Sequence, residues 1–295
     1  MGIACSKQNS LDLPAPTMPL EGPVIKSYSP DKNQVEFSSD SSADFLDVVF
    51  CIDTTSSMIS YIERSKKVIT NMINVFSQND EKPLFGVVAY RDHPPEETTY
   101  ITMIHNLDSA EKALEFVKQL EAYGGGDVPE ALFQGLSDSV LKIKWRNLII
   151  PQKSYKKLLI HVADAPPHGN DFHDASMYDK WPKKCPSGIT LEKMAKIIND
   201  NNIFYHLCRL DKRTDIMMEK FKKKFNRFEL IDLIVNEENL MDQRKEFEDF
   251  KEEFHDEDYM NRSFTKMKKS EQNEVIYEAK VTRCLAKNMK KLIKD

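Results

Sequence analysis

Apolar residues in this chain fall into short runs rich in β-branched and aromatic side chains, separated by stretches where they recur every third or fourth position. The first run, residues 45–52, is broken only by Asp47 and ends at Asp53, which predicts a strand buried on both faces. Ile62, Ile69, Met72, Ile73 and Phe76 then share one face of a helix. Further strands are expected at residues 85–90 and 98–104, and the short 91–97 connection between them suits an antiparallel edge hairpin. Leu114, Val117 and Leu120 mark a helix that Gly124, Gly125 and Gly126 break. Pro129 opens the next one, with Leu132, Leu136, Val140 and Leu141 on its apolar side, because proline suits a first helical turn. A fourth strand at residues 157–163 again ends at an aspartate, Asp164. After a long loop come a helix at 190–200, a strand at 203–207, a helix through Met217, Phe221 and Phe225, and a last strand at 228–233.

Strands alternating with helices predict an α/β fold: a doubly wound, mostly parallel, Rossmann-like sheet with one antiparallel edge strand and further C-terminal helices. Such sheets bind ligands beyond the carboxyl ends of their strands. Two central strands each deliver an aspartate there. The loop after the first strand reads Asp53-Thr54-Thr55-Ser56-Ser57-Met58 and offers a carboxylate and two alternate hydroxyls, Thr55 and Ser57, at a helix start. Few charges and several hydroxyl oxygens suit a hard, partly hydrated cation such as Mg²⁺ or Mn²⁺. The simpler reading of the same residues is a helix capped by Ser56 or Ser57.

The Asp53-x-Thr55-x-Ser57 loop after the first strand, a glycine-rich loop before a middle helix and an aspartate ending a later strand together resemble the metal-ion-dependent adhesion site of von Willebrand factor A domains, whose first loop reads Asp-x-Ser-x-Ser. The resemblance runs from about residue 45 to residue 235 and implies that Asp53, Thr55 and Ser57 form the first ligand loop, Asp127 lies in the second and Asp164 in the third. Thr55 replaces a serine and keeps the hydroxyl, whereas Gly126 stands where many members have threonine. The second-loop ligand is then either lost or supplied by the neighbouring Asp127. Longer signatures, Phe85-Gly86-Val87-Val88-Ala89-Tyr90-Arg91-Asp92-His93, Gly124-Gly125-Gly126-Asp127-Val128-Pro129-Glu130-Ala131 and Ile160-His161-Val162-Ala163-Asp164-Ala165-Pro166-Pro167-His168-Gly169, are similar to the A domain of protist alpha-kinases related to myosin heavy chain kinase. About 60 residues follow that region, and no Gly-x-Gly-x-x-Gly or Walker loop occurs. The resemblance therefore implies a non-enzymatic module, without a kinase domain in this chain.

Composition narrows the classes. The 295 residues are 40% hydrophobic and 30% charged, with a net charge of -5. No apolar run approaches the ~20 residues of a membrane span, and no basic field favours nucleic acid. Five scattered cysteines, an odd number, without a secretory pattern read as a reduced, intracellular protein. Met1-Gly2-Ile3-Ala4-Cys5-Ser6 fits N-myristoylation at Gly2, with Cys5 open to palmitoylation. One acyl chain binds membranes weakly, so the second would matter. Residues 1–7 thus form an acylation motif, 8–43 a proline-punctuated linker, 44–236 the domain and 237–295 a helical extension. That extension is split in charge: residues 237–258 carry eleven acids and three bases, and residues 259–294 ten bases and three acids.

Other chemistries fit less well. His93, His168, His173 and Cys185 invite Zn²⁺, but their spacing matches no compact zinc pattern and favours loop residues hydrogen-bonded around the rim. A phosphatase-type nucleophile at Asp53 lacks the acid two residues on. Ser56 and Ser57 lack a hydrolase elbow, and Cys185 has no activating base nearby in sequence. The expectation is a cytoplasmic module, peripheral on a membrane through Gly2 and Cys5. Its divalent cation recruits a partner whose acidic residue completes the coordination, such as a kinase or cytoskeletal protein. The alternatives are a non-catalytic targeting component of an alpha-kinase system, or a metal-dependent hydrolase using the same site.

Overall fold

The computed structural model describes residues 45–77, 83–147 and 155–234, together with single residues 245, 248, 268 and 272. The acylation motif at Gly2 and Cys5, the 8–43 linker and nearly all of the 237–295 extension lie outside the described residues. Among those described, no helix is long and apolar enough to cross a membrane.

Six strands, β1 (Phe45–Asp53), β2 (Leu84–Tyr90), β3 (Thr102–Asp108), β4 (Tyr155–Ala163), β5 (Ile203–Arg209) and β6 (Phe228–Asp232), form one sheet in the order β3-β2-β1-β4-β5-β6. All neighbours pair parallel except β2 and β3. Alternate residues of the parallel strands feed two cores. Val48, Phe50 and Ile52 meet α1 (Ile62–Ser77) and α2 (Ala110–Lys118) on one face. Val49 and Cys51 meet α3 (Leu132–Leu141), α4 (Leu191–Asp200) and α5 (Asp215–Lys224) on the other. Burial on both faces is why these strands read as continuous apolar runs. Asp47, the one interruption, is fully buried and satisfied: Arg146 N and Nε and the Tyr155 hydroxyl all donate to its carboxylate.

The chain runs outward from β1 to β2 in one direction and from β4 to β5 in the other. The crevice above the carboxyl ends of β1 and β4 is thus the switch point where such sheets place ligands. The edge strand β3 begins four residues later than the pattern predicts, because the Glu97 carboxylate takes the Thr98 and Thr99 amides and the Thr99 hydroxyl and folds that stretch into a turn. Leu141, expected in the core, is 61% exposed at the last position of α3. Pro129 lies three residues before that helix, in the loop that leads into it.

Candidate functional site: the carboxylate rim of the sheet

β1 delivers Asp53 to the rim, and the chain turns at once. The Thr54 amide donates to Tyr90 O at 2.9 Å and the Ser56 amide to Gly124 O at 2.9 Å, so the first loop is tied both to the end of β2 and to the glycine loop. Gly124 and Gly125 have φ of +79° and +76°, a left-handed pair that other residues rarely adopt. Side chains in the first loop then form a chain of oxygens. The Thr55 amide and hydroxyl donate to Asp53 Oδ1 at 2.9 and 2.7 Å, Thr55 Oγ1 lies 3.3 Å from Ser57 Oγ, and Ser57 donates to Asp164 Oδ1 at 3.0 Å. Ser57 therefore serves the site rather than capping the short helical turn at Ser56–Ser60, and the Thr55 side chain makes no capping bond there.

Asp53, Thr55, Ser57 and Asp164 come together as one cluster. Asp127 does not join that chain of hydrogen bonds. Its Oδ2 accepts from the Lys180 amide at 2.6 Å, and its ligand-type neighbours are Asp92 and His168. The space above Gly126, where a threonine side chain would start, is filled by the Glu96 carboxylate, which pairs with Lys180. The acid that does approach the first loop is Glu130. It is buried, and its Oε1 sits 3.0 Å from where a Cβ on Gly125 would be, with the Thr55 side chain alongside. Its amide donates to Pro166 O and the next amide to Arg91 O, which pins it between the ends of β4 and β2. Glu130 was hidden in the sequence because Pro129-Glu130 reads as an ordinary first helical turn. The one signal was an acid in that turn beside an apolar face.

Burial and the neighbouring Asp164 hold the Asp53 carboxyl above its ordinary range, against the pull of the Thr55 hydrogen bonds. Burial, then Asp53 and Asp92, push Glu130 well above its own. Asp164 is raised by burial, with Arg213 and Ser57 opposing, and Arg213 Nη2 donates to its Oδ2 at 2.8 Å. Asp53 Oδ2 and Glu130 Oε2 are buried without a hydrogen-bond partner. Two unpartnered, desolvated carboxylate oxygens beside two hydroxyls are a donor set that fits a hard divalent cation.

The groups in the zinc reading are close in space but are committed to one another. His93 Nε2 lies 3.1 Å from Cys185 Sγ, and His173 Nε2 lies 3.1 Å from Asp179 Oδ2. His168 stands between Asp92 at 2.7 Å and Asp179 at 2.9 Å.

Residues 47–145 match the family model of the von Willebrand factor A domain. The alpha-protein kinase vwkA of Dictyostelium discoideum is 31% identical over 194 residues, 65% of this chain and 29% of the kinase. A putative ariadne-like RING finger protein, R811, of Acanthamoeba polyphaga mimivirus is 23% identical over 153 residues, 50% of this chain and 13% of that protein. The chain thus spans less than a third of either relative. Among solved structures, the SpRpn10 VWA domain is 14% identical, covering 68% of this chain and 93% of that one, with a TM-score of 0.45. The pilus adhesin SpaC of Lactobacillus rhamnosus GG, in its open conformation, is 13% identical, covering 65% of this chain and 28% of its own, with a TM-score of 0.43. On this match, and with a sheet whose rim carries the Asp53 loop, residues 47–145 are similar to the von Willebrand factor A domain family.

Proposed function

We propose that this domain recruits a protein partner through a metal-ion-dependent adhesion-type site at Asp53, Thr55, Ser57 and Asp164, with Glu130 as the acid beside Gly125 and the Thr55 side chain. The observation that carries this reading is the unpartnered Asp53 Oδ2, buried at the end of β1 beside the hydroxyl chain. Mg²⁺ or Mn²⁺, when bound there, would offer an open coordination position to a carboxylate of the partner. The chain's own residues do the rest. Thr55 and Ser57 hold their hydroxyls in line, the backbone ties of Thr54 and Ser56 fix the loop, and Arg213 offsets part of the charge of Asp164. An extra acid such as Glu130 would tighten cation binding and soften its pull on an acidic partner. Dual acylation at Gly2 and Cys5 would keep the module on the cytoplasmic side of a membrane.

The test is recovery of partners from membranes by the full chain, with and without chelator, compared with Asp53→Ala. Partners lost on chelation and in the variant support recruitment; equal recovery in all conditions refutes it. Gly2→Ala should move the protein to the soluble fraction, and unchanged membrane association would remove acylation from the account.

The second reading, a non-catalytic targeting component of an alpha-kinase system, is favoured by the 31% identity to vwkA. Its mark would be protein kinase activity that co-purifies with the chain and resides in a separate polypeptide.

A further inference from the structure

A second cluster stands on the same rim and belongs to none of the roles above. Asp92, two residues beyond β2, is fully buried; its Oδ1 accepts from the His93 amide at 2.6 Å and meets His168 Nε2 at 2.7 Å, while its Oδ2 has no partner. Asp127 is held through Oδ2 by the Lys180 amide, and its Oδ1 has no partner either. One ligand-type atom from each of Asp92, Asp127 and His168 lies within 4.8 Å of the others.

The imidazole is also oriented from behind. His168 Nδ1 lies 2.9 Å from Asp179 Oδ1, and Asp179 is itself fixed by the Gly169 amide at 2.7 Å, the Trp181 amide at 2.8 Å and His173 Nε2 at 3.1 Å. The Trp181 ring meets His168 edge-on with centroids 4.6 Å apart. A histidine whose far nitrogen rests on an anchored carboxylate is the usual arrangement behind a metal-ligating imidazole, because that partner sets the ring's tautomer and angle.

We infer that Asp92, Asp127 and His168 form a second divalent-cation site, with two carboxylate oxygens and one imidazole nitrogen, separate from the oxygen-only cluster at Asp53. The mixed donor set selects a borderline transition ion of the Mn²⁺ or Zn²⁺ class over Mg²⁺, since imidazole is a poor ligand for the harder ion. Asp179 is the outer carboxylate of this site. Cys185 and His173 lie outside this group of three.

The nitrogen makes the site spectroscopically distinct. Full-length protein is loaded with Mn²⁺ and studied by pulsed electron paramagnetic resonance. A ¹⁴N coupling is expected in the wild type and in Asp53→Ala, is lost in His168→Gln, and disappears when Zn²⁺ displaces the Mn²⁺. No nitrogen coupling at saturating Mn²⁺, or a coupling that survives His168→Gln, overturns the assignment. Should His168→Gln fail to fold, Asp127→Asn, with a side chain only partly buried, is expected to lose the coupling at limiting Mn²⁺ while keeping its far-ultraviolet circular dichroism. Retained coupling there is equally fatal. A failed adhesion-type site would instead appear as loss of the nitrogen-free Mn²⁺ alone, so the two readings fail separately.

Discussion

His161 sits on β4 in the core, three residues before Asp164, with Nε2 3.0 Å from the Tyr90 hydroxyl and Nδ1 2.6 Å from the Tyr205 hydroxyl. Between two tyrosines the neutral ring donates on one side and accepts on the other, and burial pushes its pKa down to about 3. In the unfolded chain a histidine titrates near 6.5. The folded value is depressed, so the stability that the neutral ring carries is fully present above about pH 6.5 and is lost as pH falls toward 3. Between pH 7 and pH 5 the unfolded chain takes up a proton that the core refuses, which costs about 2 kcal/mol, roughly a thirtyfold change in the folding equilibrium. The comparison is His161→Gln, which stays neutral and keeps polar atoms near the two hydroxyls. Its mismatch should cost about 1–3 kcal/mol at pH 7. Urea unfolding of both proteins from pH 7 to pH 5 should show the wild type losing about 2 kcal/mol more than the variant over that range. His93, which burial lowers to about 4, is common to both and cancels in the difference. Parallel curves would refute the reasoning, because they would mean that His161 takes up its proton in the fold.

Asp47→Ala removes the buried carboxylate that Arg146 and the Tyr155 hydroxyl share and should cost about 3–5 kcal/mol in denaturant unfolding, as for one partner of a buried ion pair. Gly135→Ala should destabilise by about 1–3 kcal/mol, read in the same assay, because the new Cβ would fall 2.6 Å from Cδ1 of the Tyr90 ring that His161 holds in place. Arg213→Gln removes a positive charge 2.8 Å from Asp164 and should tighten Mn²⁺ binding at the Asp53 cluster several-fold by calorimetry; weaker binding would make Arg213 a support for Asp164 rather than a competitor. A chelator should lower the melting temperature relative to saturating Mg²⁺ or Mn²⁺, because an ion held at 100 times its Kd contributes about 2.7 kcal/mol. Identical melting with and without chelator would count against cation binding at either cluster.

Much of the fold was legible because strands buried on both faces are nearly uninterrupted in sequence, and each helix kept its apolar positions at helical spacing. The β3 boundary was not legible, since Thr98, Thr99, Tyr100 and Ile101 have strand-like side chains while the Thr98 and Thr99 amides are claimed by Glu97. Leu141 follows the helical pattern but is exposed at the last position of α3. At the site, Asp53 and Asp164 could be read because each ends an apolar run. Glu130, Asp92 and Arg213 reach the rim through loop geometry: the parallel bridge of Glu130 to Pro167, the turn after β2, and the short helical turn at Lys212–Thr214. No spacing rule within one segment records contacts of that kind.

The distribution of unmet hydrogen bonds ties the two clusters together. Among the described residues, five buried carboxylate oxygens lack a partner, on Asp53, Asp92, Glu97, Asp127 and Glu130, and these acids lie at the end of β1, in the loop after β2 and in the loop leading into α3. Acids elsewhere in the core are satisfied: Asp47 by Arg146 and Tyr155, Asp138 by Thr102, Gln134 and Lys142. A buried acceptor left unpaired costs about 1–3 kcal/mol, and a domain's whole stability is about 5–15 kcal/mol. Five such atoms together would consume a large share of that margin. Their confinement to one rim, in a chain that satisfies its other core acids, is what a fold looks like when its rim is built to meet positive charge. Glu130 lies within electrostatic reach of Asp53, Asp92 and Asp127 and so links the two clusters. A cation bound at one should therefore alter affinity at the other, with the sign set by how much of the charge of Glu130 the first ion takes up.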